Sequence, residues 1–312
     1  MQRESSGAPK RLLVTGLHGF VGSTLAALIA SDSALRGWEL AEIAPALDLR
    51  DTKTTNALVE AVRPDAVIHL AALSFVPDAF KDPAATFDVN VIGTLRLLQA
   101  LKAHGFAGRV LFVGTGDVYG LVPENALPIT EHRLPAPRNP YAVSKLAAEA
   151  LCFQWTATEG MEIVMARPFN HIGPGQNDRF VISDFAHQLT EIGAGRRDPV
   201  VVVGDIDVTR DFTDVRDVVR AYFALLEHGK SGEVYNVASG VERTVRSLLE
   251  RLMALSGVAA RIEPQATRLR RAEQRRVVGD PAKIHAATGW TANTSLDESL
   301  QAMLDYWKNK SR

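Results

Sequence analysis

In the stretch Pro140-Tyr141-Ala142-Val143-Ser144-Lys145, a phenol and an ammonium stand four residues apart. On a helix that spacing brings both side chains to one face. A lysine cation beside a tyrosine lowers the phenol's pKa and fits it to protonate a carbonyl oxygen as hydride reaches the carbon. A tyrosine and a lysine on a solvated helix would share the spacing, so the pair needs support from elsewhere. Val113-Gly114-Thr115-Gly116-Asp117-Val118-Tyr119-Gly120 supplies a hydroxyl, Thr115, at the tip of an apolar run, where it could hydrogen-bond the same substrate oxygen. Gly16-Leu17-His18-Gly19-Phe20-Val21-Gly22 repeats glycine at every third position. Gly16 permits a tight turn, Gly19 lets the backbone approach a pyrophosphate, and Gly22 allows a helix to pack closely on a strand. His18, Phe20 and Val21 share that turn and join the candidate cofactor contacts.

These groups need strands and helices to position them. Leu12-Leu13-Val14-Thr15 reads as a buried strand ending at Gly16, and Phe20, Val21, Leu25, Leu28 and Ile29 recur at helical spacing after it. Gly37 and Trp38 then close the helix, and Glu39 to Ile43 read as the next strand. The alternation continues with a helix over Ala57 to Val62, a strand over Ala66 to Leu70, a long helix over Phe87 to His104 and a strand over Arg109 to Val113. A helix over Tyr141 to Thr158 and a strand over Glu162 to Ala166 complete it. Such a pattern predicts an α/β fold of Rossmann type, a parallel sheet with helices on both faces. Residues 1–167 read as the dinucleotide-binding domain. Beyond Pro168 the chain becomes loop-rich, with Gly173-Pro174-Gly175, Gly193 and Gly195, and 168–312 read mainly as a smaller substrate-binding lobe. A helix over Asp214 to Leu226 and a strand over Val234 to Val237 lie in a stretch, 214–240, expected to rejoin the main sheet.

Composition narrows the partners. Thirty-five basic against 36 acidic residues leave a formal net charge of -1, which offers no overall attraction for nucleic acid. Cys152 is the sole cysteine of 312 residues, so neither an intrachain disulfide nor a sulfur-ligated metal is expected, and a reducing cytoplasm is the natural setting. No apolar stretch is long enough for a membrane span, and the chain reads as soluble and unprocessed.

Taken in order, the glycine turn, the hydroxyl strand end and Tyr-x-x-x-Lys resemble the extended short-chain dehydrogenases/reductases that act on nucleotide-linked sugars. The likeness runs from Arg11 to about Trp307. It implies NADP or NAD as cofactor, and neither a carboxylate nor a basic pair is evident after the second strand to choose between them. It also implies cofactor contacts from Leu70, Ala71, Ala72, Ser74, Asn90 and Pro168, with Lys145 on the nicotinamide ribose beside Tyr141. Asp48 and Leu49 could meet the adenine, although Asp48 also reads as a helix cap. Asn90 likewise has an alternative as a helix cap or core hydrogen bond.

For the substrate, Arg167-Pro168-Phe169-Asn170-His171-Ile172-Gly173-Pro174-Gly175 resembles the family's sugar-nucleotide loop, which assigns Asn170 to the sugar diphosphate. Val208-Thr209-Arg210-Asp211-Phe212 resembles the segment whose arginine binds nucleotide phosphate or ribose; a salt bridge from Arg210 to Asp211 or Asp214 is the other reading. Arg268-Leu269-Arg270-Arg271-Ala272-Glu273 fits the spacing by which relatives using GDP-sugars reach the nucleotide, through Arg270, Arg271 and Glu273. Thr115, Asp117, Tyr141 and Arg179 complete the expected substrate contacts. The words Ser74-Phe75-Val76-Pro77 and Arg270-Arg271-Ala272-Glu273-Gln274-Arg275-Arg276 resemble the branch of bacterial reductases that turn a GDP-linked 4-keto-6-deoxy-mannose into GDP-D-rhamnose. The 4,6-dehydratases of GDP-mannose are the rival, but they place a glutamate two residues after the threonine, where this chain has the shorter Asp117. A cofactor-binding regulator without turnover is the non-enzymatic alternative, and the presence of both Tyr141 and Lys145 speaks against it. The two long helices imply a homodimer through a four-helix bundle, as in the family.

Overall fold

The computed structural model describes residues 8–43, 47–265 and 274–311. The chain opens on β1 (Lys10–Thr15) and α1 (Phe20–Ser31), followed by β2 (Trp38–Leu40), α2 (Thr52–Val62) and β3 (Ala66–His69). Three helices, α3 (Val76–Lys81), α4 (Pro83–Phe87) and α5 (Gly93–Ala103), lead to β4 (Arg109–Val113), α6 (Pro140–Glu159) and β5 (Glu162–Pro168). Next come β6 (Asn170–Ile172), α7 (Val181–Gly193), β7 (Val200–Val203), β8 (Thr209–Asp214), α8 (Val215–His228) and β9 (Val234–Val237). The chain closes with β10 (Glu242–Thr244), α9 (Val245–Ser256), β11 (Arg261–Pro264), α10 (Ala282–Thr288) and α11 (Leu296–Lys310).

The main sheet has six strands in the order β2-β1-β3-β4-β5-β9. The pairings β1 with β2, β1 with β3, β3 with β4 and β4 with β5 are parallel. This is the Rossmann arrangement that the alternation predicts, and the chain reverses its direction of travel across the sheet between β1 and β3, where ligands of such sheets bind. Smaller sheets join β8 to β10 antiparallel and to β6 parallel, and β7 to β11 parallel.

Two compact units emerge. The first holds the residues up to Val118 with Pro137–Ala166 and Tyr222–Val234; the second holds Tyr119–Ala136, Arg167–Ala221 and the residues from Tyr235 onward. The core of the first includes Leu13, Val67, Leu97, Leu101, Phe112 and Ile163. The second packs Phe185, Leu189, Leu248, Leu252, Met303 and Trp307. Within the second unit, Tyr119 Oη donates to Asn236 Oδ1 at 2.7 Å and Asn236 Nδ2 to the Ile129 carbonyl at 2.9 Å, holding the 119–136 stretch there.

Several boundaries differ from the periodic pattern, each for a local reason. α1 stops at Ser31 because the Asp32 carboxylate accepts the Ala34 amide and starts a short 3-10 turn, so Trp38 begins the second strand, which ends at Leu40 instead of Ile43. Asp51 caps α2 by accepting from the Lys53 and Thr54 amides, which starts that helix at Thr52 and not Ala57. The long helix expected over Phe87 to His104 is interrupted by a π-turn at Asp88–Ile92 that buries Asn90. β5 runs on to Pro168.

α11 anchors the second core. Trp307 is buried, stacks on His187 with ring centroids 4.1 Å apart and donates from Nε1 to Ser183 Oγ at 3.1 Å. Trp307→Ala should lower stability by about 3–5 kcal/mol, read as a fall in the urea midpoint by far-UV circular dichroism; an unchanged midpoint would contradict the packing described.

Candidate active site

The glycine turn sits at the end of β1. Gly16 has φ +77°, and a Cβ there would lie 2.8 Å from the Ala71 amide nitrogen, so a side chain is excluded on both counts. At Gly22 a Cβ would come within 2.4 Å of the Leu17 carbonyl oxygen, so close packing of α1 on the turn requires glycine there too. Gly19 differs: a Cβ would meet only the Gly16 carbonyl, at 3.2 Å, so its bareness chiefly clears the approach to the start of α1. That helix has neither a side-chain cap nor an acidic residue in its first turn. Its first-turn amides and positive dipole end therefore suit the pyrophosphate of a dinucleotide. His18 Nε2 lies 3.3 Å from the Ile43 carbonyl, tying the turn to the chain beyond β2.

Beside the turn, a cavity of about 300 Å³ is lined by Leu47, Asp48, Leu49, Arg50, Ala71 and Val89. Asp48 is not the helix cap, a role that Asp51 takes; its carboxylate grips Arg50 at 2.8 Å, and those hydrogen bonds hold its pKa below the ordinary value. Leu70 and Ala72 are partly buried and Ser74 exposed in the segment after β3. Pro168 is buried at the end of β5.

Asn90 makes the core hydrogen bonds that formed its alternative reading: Oδ1 accepts from the Leu73 amide at 2.8 Å, while Nδ2 donates to the Leu73 carbonyl at 3.1 Å and to Ser144 Oγ at 2.9 Å. Its amide thereby ties the segment after β3 to the first turns of α6. Beneath it, His69 joins Thr15 Oγ1 at 2.6 Å to Thr94 Oγ1 at 2.8 Å, and burial pushes the imidazole pKa down to about 3, with Lys145 adding to the effect. No sequence motif marked His69, because its partners lie on β1 and α5.

α6 begins where Asn139 Oδ1 accepts the Ala142 amide at 2.7 Å, with Pro140 in the first turn. Tyr141 and Lys145 both turn inward, with Tyr141 partly buried and Lys145 only 3% exposed, which removes the solvated-helix reading. The Thr115 hydroxyl hydrogen-bonds the Tyr141 phenol, and the Asp117 amide donates to Thr115 Oγ1 at 3.2 Å. Thr115, Asp117 and Tyr141 thus act on one another.

The phenol's pKa moves opposite to the expected direction. Burial raises it and the Asp117 charge raises it further, against a lowering by the Thr115 hydrogen bond. Desolvation disfavours the phenolate, and Lys145 sits at the opposite pole of the pair, its Nζ 4.6 Å from the centre of the Phe112 ring. Burial takes that ammonium down to about 8, with Cys152 and Glu149 opposing the shift. A phenol of this kind retains its proton near neutrality and yields it to a base as strong as a nascent alkoxide.

In the second unit, Asn170 opens β6 with an exposed side chain, and the loop behind it is braced by Gln176 Nε2 donating to the His171 carbonyl at 2.9 Å. Arg179 is exposed beyond that loop. Arg210 Nη1 donates to the Thr209 carbonyl at 2.6 Å and reaches the Arg275 carbonyl at 3.5 Å. The acids that formed its alternative partners have other work. Asp211 accepts from Ser239, Gly240 and Gly279, and Asp214 pairs with Arg216 at 2.8 Å and accepts from Ser299. Arg270, Arg271 and Glu273 lie outside the described residues. Just past them, Gln274 Oε1 accepts from the Val122 amide at 2.8 Å and Arg276 pairs with Glu242 at 2.7 Å.

Comparison with known proteins agrees with this geometry. Residues 43–303 match the family model described as GDP-mannose 4,6 dehydratase. The chain is 51% identical over 303 residues to GDP-6-deoxy-D-mannose reductase of Pseudomonas aeruginosa, covering 97% of this chain and 99% of that one. It is 29% identical to GDP-6-deoxy-D-talose 4-dehydrogenase of Aggregatibacter actinomycetemcomitans, over 96% and 98% of the two chains. Among solved structures, that of RMD from Pseudomonas aeruginosa complexed with NADPH matches with a TM-score of 0.92 at 51% identity, covering 96% of this chain and 99% of that one. UDP-glucose 4-epimerase from Thermotoga maritima, with UDP-glucose, matches with a TM-score of 0.85 at 26% identity over 97% and 100% of the chains. The inward phenol and ammonium on α6, the bare glycine turn at β1 and these near-full-length matches together establish that the chain belongs to the GDP-mannose 4,6 dehydratase family, within the short-chain dehydrogenases/reductases.

Proposed function

We propose that this protein reduces the C4 keto group of GDP-4-keto-6-deoxy-D-mannose to give GDP-D-rhamnose, with NADPH as reductant and NADH as the alternative. The observation that carries the reading is 51% identity, over nearly the whole of both chains, to a GDP-6-deoxy-D-mannose reductase, with a matching relative that was solved with NADPH. The site has the means for such a step. Gly16, Gly19 and Gly22, with the amides opening α1, would hold the dinucleotide's pyrophosphate, and the cavity beside Asp48 and Leu49 would take its adenine. A reduced nicotinamide supplies the hydride.

Tyr141 donates its proton to the carbonyl oxygen. Its raised pKa keeps the proton in place until an oxyanion develops, and Thr115, already bonded to the phenol, steadies the oxygen as charge builds. Lys145 lies one turn along α6, where its charge would offset the phenolate left behind and its ammonium would hold a ribose hydroxyl. Asn170, Arg179 and Arg210 would bind the GDP moiety, with Arg270, Arg271 and Glu273 assigned to it by their spacing; guanidinium groups suit a diphosphate because they donate paired hydrogen bonds.

Asp117 separates this reading from dehydration. A dehydratase needs a carboxylate long enough to remove a proton from the sugar, and Asp117 is a methylene shorter than the glutamate of that chemistry. Its charge instead disfavours the phenolate, which suits a proton donor. We further propose a cytoplasmic homodimer joined through a four-helix bundle. Apolar side chains left exposed on the first unit's helices support it, with Phe80 62% and Phe153 59% exposed and Ile92 and Val143 exposed as well. Among the described residues no helix is long and apolar enough to cross a membrane.

Purified protein mixed with the ketosugar and NADPH should consume reduced cofactor in proportion to product, while GDP-mannose alone should give no net change. Conversion of GDP-mannose instead would identify a dehydratase. Tyr141→Phe should lower kcat/KM about 10²–10⁴-fold while NADPH still binds by fluorescence titration, and an unaffected rate would remove Tyr141 as the proton donor. Arg210→Ala should raise KM for the ketosugar roughly tenfold or more with kcat little changed; steady-state kinetics showing the reverse would refute a binding role. Light scattering should give twice the chain mass of 33.9 kDa, and Phe153→Glu should shift it toward the monomer.

A further inference from the structure

Three buried polar side chains of the first unit meet beside the glycine turn, and the reduction chemistry assigns none of them a task. Thr15 and His69 are the last residues of β1 and β3 and stand opposite one another in the parallel register. Thr94 reaches the same imidazole from α5. None of the three is more than 1% exposed, so their donors and acceptors must be met by protein groups.

The protons in this cluster can be placed one by one. Thr94 Oγ1 donates to the Asn90 carbonyl at 2.7 Å, and a carbonyl can only accept. A hydroxyl has one proton to give. Towards His69 Nε2, 2.8 Å away, Thr94 therefore offers only lone pairs, so Nε2 carries a hydrogen and donates it. Burial pushes the imidazole pKa down to about 3, with Lys145 adding to the effect, so the ring is neutral and its other nitrogen is bare. Bare Nδ1 must accept. Its partner at 2.6 Å is the Thr15 hydroxyl, which gives its proton to the ring and keeps its lone pairs for the Ala71 amide at 3.3 Å. The Thr15 carbonyl takes the preceding amide, that of Leu70, at 3.1 Å. Residue 15 thus holds two successive amides of the segment after β3. The next residue, Gly16, is the one whose Cβ would lie 2.8 Å from that same Ala71 nitrogen.

We propose that His69 is a positioning residue for the cofactor, fixed as the Nε2–H tautomer so that bare Nδ1 orients the Thr15 hydroxyl to receive the Ala71 amide beside the glycine turn. This rests on the dinucleotide site proposed above. The imidazole lies beneath that site and acts through Thr15. With the opposite tautomer Nδ1–H would point at the Thr15 oxygen, the Thr15 proton would lose its acceptor, and Thr94 would face a nitrogen that offers it nothing. One tautomer satisfies all four bonds.

The tautomer is read from ligand-free protein carrying ¹⁵N-histidine, by long-range proton–nitrogen correlation at neutral pH, with the His69 signals assigned by their absence in His69→Gln. Nε2 should show the protonated type of shift and Nδ1 the bare type; an Nδ1–H or doubly protonated ring would overturn the proposal. Binding separates positioning from plain stability. Glutamine extends to the Nε2 position and keeps the bond to Thr94 but places carbon where Nδ1 stood, so His69→Gln should raise the Kd for NADPH roughly tenfold by fluorescence titration. Thr15→Val should raise it similarly, and it decides the point if the glutamine variant does not fold. Asparagine sets its carbonyl oxygen near the Nδ1 position, so His69→Asn should bind NADPH close to the parent's affinity. A histidine that served stability alone would lower the thermal midpoint in these variants and leave the Kd of each folded protein unchanged, and that result would refute the role. A parent that binds neither NADPH nor NADH would remove the dinucleotide reading itself, while the spectrum, taken without ligand, decides the proton arrangement separately.

Discussion

A charged amine held out of water is the constraint around which the first unit is arranged. Lys145 has no room for a hydration shell, so its surroundings must supply what water would have supplied. Phe112 offers an aromatic face, and His69 is locked between two threonines in a form that carries no competing charge. The two arise from different elements, and a Cβ on Gly114, just past Phe112's strand, would lie 3.0 Å from the Ala166 carbonyl oxygen. The Gly114 amide also donates to the Ala166 carbonyl at 2.7 Å, fixing the end of β4 on β5 just before Thr115.

The phenol is the second half of the same problem. A tyrosine near a lysine is commonly pictured as an acidified tyrosine, but here burial and the Asp117 charge raise the phenol's pKa against the lowering by the Thr115 hydrogen bond. The outcome suits a reduction. A donor that gave up its proton easily would be empty before the carbonyl oxygen needed it, whereas one held in reserve delivers it once charge appears on that oxygen. Asn90 contributes by geometry. Buried in the π-turn, it binds both backbone groups of Leu73 and reaches Ser144 between Tyr141 and Lys145, so the segment after β3 and the catalytic face of α6 cannot drift apart independently.

In the second unit the organising charge is Asp211. Its buried carboxylate collects the amides of Ser239, Gly240 and Gly279, which oppose the upward push of burial on its pKa. Those bonds hold the chain after β9 and the chain before α10 against β8, the strand that also carries Arg210. On that strand Arg210 Nη1 donates to the Thr209 carbonyl and reaches that of Arg275, contacts that help to orient its guanidinium.

By itself the sequence determined the sheet, the glycine turn and the Tyr141–Lys145 pair, because these depend on backbone sterics and helical or alternating periods that act over a few residues. It also carried the family resemblance, since motifs spaced along the chain survive without knowledge of contacts. Tertiary structure decided the rest. Helix starts at Thr52 and stops at Ser31 turned on single aspartate side chains competing for amides, and the π-turn at Asn90 on bonds to Leu73 and Ser144, each many residues away. The sign of the phenol's pKa shift, the neutrality of His69 and the burial of Glu149 were likewise out of reach of spacing, because desolvation is set by every element that packs around a group, and a pattern along one helix records only that helix's own face.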